Sequence, residues 1–279
     1  MGVFQNHLMA AAVAKAAEST DFYDYQIAKS VRLEGATPNY LSKTFAGAGD
    51  RKTWTFSIWV KRSLLDGNIQ TTLSSYNGSG SEGLMLAAGN EINTNTDNGG
   101  AWLTTDAEYR DISAWYHMVW RYDTTESVAG NRERLYINGT LLTSFSSTGA
   151  PSLNSTSGQI NNAGDNEIGR HIYNTRYPFS GYFAEIVFID GTSLGPDSFG
   201  ESKNGVWIPS DPSGLTFGSN GYWLDFANSG DLGNDVSGNN NDWTSNGFAT
   251  TDQMLDTPTF NASSNGGNFC VLNPLNTGS

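Results

Sequence analysis

The chain has 279 residues, a formal net charge of −13 at pH 7 and 15 Lys+Arg against 28 Asp+Glu, a balance that repels a phosphate backbone and excludes nucleic acid as a partner. Its single cysteine, Cys270, excludes an internal disulfide framework and a cysteine-based zinc cluster, and no stretch reaches the roughly 18 apolar residues that membrane insertion as a helix requires. With 32 Gly, 8 Trp, 12 Tyr and 14 Phe, the sequence joins turn residues to large aromatics that need burial, which is an all-β composition.

At the N-terminus, Phe4, Leu8 and Ala12, with Met9, Val13 and Ala16 on a neighbouring stripe, recur at helical spacing among strong helix formers. The spacing predicts a short helix over residues 4 to 18. A helix of about fifteen residues is marginal alone, so it is ordered only where its stripe meets a surface. Phe4, Leu8, Met9 and Val13 are therefore candidate assembly residues, packing either on another chain or on the sandwich that follows. No positive region precedes the apolar run, so a signal peptide is not expected. Asn6 stands where myristoylation favours a hydroxyl, which argues against lipidation.

From Ser30 the pattern changes to alternation. Val31 and Leu33, then Trp54, Phe56, Ile58 and Val60, sit at period two, the signature of half-buried strands. Further strands are expected at residues 84–87, 115–122, 134–137, 167–171 and 182–189. Seven Asn-Gly pairs and two Asp-Gly pairs supply the positive backbone angles of hairpin turns and argue for antiparallel meanders. Residues 74–83, 93–100 and 146–164, rich in Ser, Asn, Gly and Thr, read as loops. After Asp190 the alternation thins and Pro196, Pro209 and Pro212 appear. The division expected is therefore an N-terminal helix and linker over 1–29, a β-sandwich over 30–193, and an irregular extension over 194–279 with strands around Tyr222 to Phe226.

Three segments together resemble the laminin-G-like branch of the concanavalin A-like lectin/glucanase superfamily. They are Trp54-Thr55-Phe56-Ser57-Ile58-Trp59-Val60-Lys61; Trp115 to Trp120 followed by Arg134-Leu135-Tyr136-Ile137-Asn138-Gly139; and Glu167-Ile168-Gly169-Arg170 through Phe179 to Ile186. Their order and spacing match over about residues 30 to 193. The resemblance implies an all-β antiparallel β-sandwich, a jelly roll of carbohydrate-binding type. Ser30 to Gly35 with Tyr40-Leu41-Ser42, and the later Trp207-Ile208-Pro209 and Tyr222 to Phe226, look like versions found in tail, fibre or other virion proteins of marine tailed phages. That likeness implies a non-enzymatic structural or adhesion protein on the virion surface, self-associating, contacting other virion proteins and meeting a host-surface glycan. The alternative it leaves open is a free lectin or a glucan-cleaving hydrolase of the same fold.

The residues themselves weigh against hydrolysis. Glycosidases of this fold resemble one another in a Glu-x-Asp-x-x-Glu spacing that brings two carboxylates together, whereas here Glu185 and Asp190 are five apart and face opposite sides of a strand unless a bulge intervenes. His7, His117 and His171 are scattered and read as structural, and no nucleophile elbow or phosphate-cradling glycine loop is present. The densest run of oxygen ligands, residues 234 to 243, makes Asp235, Asn239 and Asp242 candidate ligands for Ca²⁺, the other reading being a hydrogen-bonded Asx-turn loop. Tyr76, Trp102, Tyr109, Tyr173 and Tyr177 are candidate sugar-stacking residues, although most aromatics in a sandwich pack in its core or rim.

Overall fold

A computed structural model describes residues 22–35, 39–76, 78, 80–96, 103–172, 177–260 and 266–268. The helix expected over 4 to 18, with Phe4, Leu8, Met9 and Val13, lies outside them, as do Trp102 and Tyr173. Among the described residues the helical pieces are four 3-10 turns of three residues each, so nothing described supports that helix. None is long and apolar enough to cross a membrane.

The strands are β1 (Ser30–Glu34), β2 (Tyr40–Phe45), β3 (Thr53–Arg62), β4 (Gln70–Tyr76), β5 (Ser81–Leu86), β6 (Glu91–Asn95), β7 (Leu103–Glu108), β8 (Tyr116–Asp123) and β9 (Glu133–Ile137). They continue with β10 (Thr140–Leu141), β11 (Phe145–Thr148), β12 (Gly164–Ile168), β13 (Ser180–Asp190), β14 (Gly200–Lys203), β15 (Val206–Pro209), β16 (Tyr222–Leu224), β17 (Thr244–Asn246) and β18 (Gln253–Met254). The first sheet runs β10-β9-β8-β3-β13-β1-β18, with β16 also on β13, and the second runs β11-β7-β6-β5-β4-β12-β2-β17. Strand pairing within both is antiparallel throughout, the antiparallel sandwich that alternation implied.

Period-two patterning explains the core. From β3, Trp54, Phe56, Ile58 and Val60 point between the sheets and meet Trp120 and Tyr122 of β8, Phe183 and Phe188 of β13, and Leu84, Leu86, Ile92 and Leu103 of the opposite sheet. Trp54 packs edge-on against Trp120 at 4.8 Å between ring centroids and stacks on Tyr122 at 4.9 Å. Each large side chain so buried stabilises by about 1.5 to 3 kcal/mol.

The other face of the first sheet is covered too. Trp59 and Ala184 lie under Ile27 and Trp115, and Val119, Val187 and Ile189 under Phe199 and Phe217. Residues beyond 193 supply much of this cover and also place β16 and β18 in the first sheet and β17 in the second. The stretch read as an irregular extension is therefore woven into the sandwich. A buried ion pair fastens it: Lys61 Nζ lies 2.8 Å from Asp256, which also accepts from Trp115 Nε1 at 3.0 Å.

The second sheet's outer face carries polar residues instead. Register sets Thr44, Asp165, Tyr76 and Ser81 in one row, and Ser42, Glu167, Ser74, Gly83 and Asn95 in the next. Composition hid these strands. β4, with the sequence QTTLSSY, overlaps the loop expected over 74–83, yet its hydroxyls find carbonyls: Thr72 Oγ1 donates to Leu84 O at 2.7 Å and Ser74 Oγ to Arg170 O at 3.0 Å. β6 and β11 likewise occupy parts of expected loops. Of the Asn-Gly pairs, Asn138-Gly139 and Asn204-Gly205 have positive φ at both residues and close the β9–β10 and β14–β15 hairpins.

Candidate functional site

Loops gather at one end of the sandwich around a cavity of about 490 Å³, lined by residues that include Glu34, Leu64, Asp66, Asn68, Ile69, Gln70, Tyr177, Pro178 and Ser180. Three connections build it. Asn39 is tied to the end of β1, its Oδ1 accepting from Glu34 N at 3.0 Å and its Nδ2 donating to Arg32 O at 3.0 Å. After β3, Asp66 forms an Asx turn, accepting from Asn68 N at 3.0 Å and Asn68 Nδ2 at 2.7 Å, while Gly67 adopts φ +73°. Before β13, Tyr177 is held at φ +57°, its carbonyl accepting from Thr71 N at 3.0 Å and its ring set edge-on to His171. A tyrosine in the left-handed region is uncommon, and such backbone is often retained at ligand sites.

The pocket joins apolar walls to a few fixed polar groups, the usual make-up of a small-ligand site. Leu64, Ile69, Tyr177 and Pro178 supply the walls. Gln70 is 2% exposed, and its Nε2 donates to Leu64 O at 2.9 Å, which fixes the amide orientation and leaves Oε1 without a donor. Ser63 ties the loops together, donating from its backbone to Ser180 O at 3.0 Å. Partial burial pushes the Asp66 carboxyl up, but the Asn68 hydrogen bonds and the Arg62 charge outweigh it and hold the group below its ordinary value. Glu34 is paired with Arg32 at 3.0 Å, and Arg32 also reaches Asp252 at 2.9 Å.

The three aromatic candidates among the described residues do not converge. Tyr177 lines the pocket. Tyr76 closes β4 at the opposite end of the sandwich, beside Asp165. Tyr109 belongs to the core: it is buried, edge-on to Tyr116 at 5.5 Å, and its carbonyl accepts from the buried Arg62 at 3.1 Å. Sequence reasoning missed Gln70, Asn68 and Glu34; the Asp66-Gly67 pair was the one visible signal, read as a turn.

Asp235, Asn239 and Asp242 do come together, but as arranged they do not fit a cation. Asp235 accepts from Trp223 N and Ser237 N on Oδ1 and from Ser237 Oγ and Asn241 N on Oδ2, at 2.8 to 2.9 Å. Asp242 accepts from Asp235 N at 2.8 Å, and Asn239 turns its NH₂ to Gly218 and Gly221 carbonyls. N–H and O–H donors supply the compensation a Ca²⁺ would have given. Among the described residues no cluster of three or more His, Cys, Asp or Glu is placed to hold a metal ion.

The bulge that could unite Glu185 and Asp190 exists, between Ala184 and Val187, with Glu185 at φ +46°. It does not unite them. Glu185 accepts from Tyr25 and Trp223, whereas Asp190 accepts from Asp50 N, Asn161 Nδ2 and Asn220 N. Burial, against those two donors, pushes the Glu185 carboxyl up to about 8. His117 is structural: stacked on Trp59 at 4.6 Å, it accepts on Nδ1 from Trp207 Nε1 and bonds Ser57 Oγ through Nε2, and burial pushes it down to about 3.

Comparison with known proteins agrees with this architecture. The family model of the concanavalin A-like lectin/glucanases superfamily matches residues 36–197, more than half of the chain. Similar solved structures include a heptameric SAP-like pentraxin from Limulus polyphemus (14% identity, TM-score 0.43, covering 61% of this chain and 79% of that one). Mouse laminin alpha1 domains LG4-5 share 12% identity (TM-score 0.42, 57% of this chain and 40% of that one). The CBM40 of Ruminococcus gnavus IT-sialidase, bound to α2,3 sialyllactose, shares 14% (TM-score 0.41, 62% and 96%). These likenesses concern the fold alone. A search of curated proteins found no match. The two-sheet architecture and the matched span lead to one assignment: the chain belongs to the concanavalin A-like lectin/glucanase superfamily.

Proposed function

We propose that this chain is a non-enzymatic glycan-binding module, displayed on a tailed-phage virion for host-surface attachment, and that the end pocket around Tyr177 and Gln70 is its ligand site. The observation that carries the reading is that pocket: apolar walls beside two carboxylates and the Asn68 amide, on loops fixed to a rigid sandwich. An apolar wall suits the C–H face of a sugar ring, and the polar groups suit its hydroxyls. The separate settings of Glu185 and Asp190 support binding without hydrolysis. The virion setting rests on the likeness of residues 30–42, 207–209 and 222–226 to phage tail and fibre proteins, with residues 1 to 20 as the contact to other copies or other virion proteins.

A glycan array probed with the purified chain and with Tyr177→Ala tests the reading. A set of glycans bound by the native chain and lost in Tyr177→Ala, with an unchanged melting temperature, is expected. Binding that survives the substitution would move the site elsewhere.

A further inference from the structure

The outer face of β3 brings three reactive groups to one point. Lys61 Nζ, wholly buried, donates to Asp256 Oδ2 at 2.8 Å and to Asn268 Oδ1 at 2.8 Å. An amine, a primary amide and a carboxyl group to move protons are what a lysine and an asparagine need to condense into a side-chain amide. Aromatic side chains stand beside them. Trp59 shares the face of β3, Tyr182 of β13 pairs with Lys61 in register, and Trp115 Nε1 donates to Asp256 Oδ1 at 3.0 Å.

The backbone holds the two partners of Lys61 side by side. Gly267 N donates to Leu255 O at 2.9 Å and Thr257 N to Gly267 O at 3.1 Å, a parallel bridge that sets Asn268 next to Asp256, and Ser30 Oγ donates to Asp256 O. With a carbonyl bond of about 1.23 Å, Asn268 Cγ stands at most about 4.0 Å from Lys61 Nζ. Poised reactants stand about 3 to 3.5 Å apart, and groups held in that geometry react as though at about 10⁵ to 10⁸ M. A small turn of the Asn268 side chain closes the distance. Asp256 is already within hydrogen-bond reach of the proton that a general base must take.

We infer that, once folded, the chain joins Lys61 Nζ to Asn268 Cγ in an amide bond, with Asp256 as the acid–base group. Asp256 takes a proton from the ammonium, and the freed lone pair attacks Cγ. The Cγ–Nδ2 bond then breaks. Of the three ammonium protons, one stays on the new amide and two pass by way of Asp256 to the departing Nδ2. Ammonium leaves, Asp256 is a carboxylate again, and no oxidant or cofactor takes part. Asn268 is an exposed residue, which gives the leaving group a way out. Until the bond forms, Lys61 and Asp256 are a buried ion pair, and the stability of the unjoined chain follows from that pair. Once formed, the bond ties β3 to a position 207 residues later, so the late segment can no longer peel from the first sheet. None of this depends on the glycan site.

Mass spectrometry of the purified full chain under denaturing conditions tests this. The intact mass should fall one ammonia below that of the sequence. Trypsin should then release a branched peptide, residues 53–62 joined through an uncut Lys61 to residues 204–279, since no Lys or Arg follows Lys203. Fragmentation should place the branch at Asn268. Asn268→Ala, at an exposed position where folding is not at stake, should keep its full mass and give the two peptides separately. Lys61→Arg and Asp256→Asn, each checked for a native circular dichroism spectrum, should do the same. A native chain that keeps its full mass after prolonged incubation would overturn the bond. So would an ammonia loss without the branched peptide, as from a succinimide at an Asn-Gly pair. Loss of water with the branch at Asp256 would overturn the choice of Asn268 as partner.

Discussion

The ammonium of Lys61 and the carboxylate of Asp256 meet at 2.8 Å with almost no solvent access, joining β3 to a segment 195 residues later in the chain. Asn268 Oδ1 accepts from the same ammonium at 2.8 Å, and Ser30 Oγ donates to Asp256 O, so the contact fastens the late part of the chain across the first sheet. Removing one partner of a buried pair leaves a charge without compensation, which costs about 3 to 5 kcal/mol. Asp256→Ala should therefore lower the unfolding free energy extrapolated from urea titration by that much, while Lys61→Met with Asp256→Leu should recover most of it. Equal midpoints for Asp256→Ala and the native chain would show that the pair does not hold the cover in place.

The stability profile with pH follows from three buried groups. Burial raises Glu133 to about 7 and Glu185 to about 8, and lowers His117 to about 3. Above pH 4.5 the unfolded carboxyls lose protons that the folded ones keep, so the two glutamates withdraw stability progressively until pH passes 7 and 8. Below pH 6.5 the unfolded histidine takes up a proton that the folded one refuses, so His117 withdraws stability down to about pH 3. Urea unfolding across pH 3 to 9 should place the optimum between about 4.5 and 6.5, and Glu185→Gln should flatten the alkaline limb. An optimum above pH 8 would contradict this assignment.

The Asp235 loop should behave as a hydrogen-bonded turn. Asp235→Ala strands donors from Trp223, Ser237 and Asn241 and should cost about 1 to 3 kcal/mol, equally in calcium and in chelator. A melting temperature of the native chain that rises by several degrees with calcium would return Asp235, Asn239 and Asp242 to cation binding.

Deleting residues 1 to 20 tests the assembly role proposed for Phe4, Leu8, Met9 and Val13. The truncated chain should keep the native circular dichroism spectrum and lose self-association on size exclusion with light scattering. Unchanged association would remove that stripe from the account.

Alternation made the core legible from sequence. Trp54, Phe56, Ile58 and Val60 lie where period two put them, and the strand expected at 182–189 is part of β13 although the bulge at Glu185 shifts its alternation by one, because strands buried on one or both faces advertise themselves in apolar residues. β4 and β6 did not, since their outward positions are Ser, Thr and Asn whose partners are carbonyls and hydroxyls far along the chain. The covering role of residues beyond 193 was equally hidden: Phe199, Phe217 and Asp256 find their partners in β3, β8 and β13, a matter of topology that local pattern does not carry. In the pocket, Tyr177 was visible as an aromatic in a loop, whereas Gln70 became a candidate only through the bond that fixes its amide and leaves Oε1 unmatched.

The most direct measurement of the glycan-site reading is a heteronuclear NMR titration of the full chain with a glycan that it binds on the array, following backbone amides. The account predicts that the largest shifts fall on Gly35, Leu64, Asn68, Ile69, Gln70 and Tyr177, with the Asp235 loop and the outer face of the second sheet unmoved. Saturable shifts centred on Tyr76, Asp165 and Asn95 instead, or none at millimolar sugar, would contradict it.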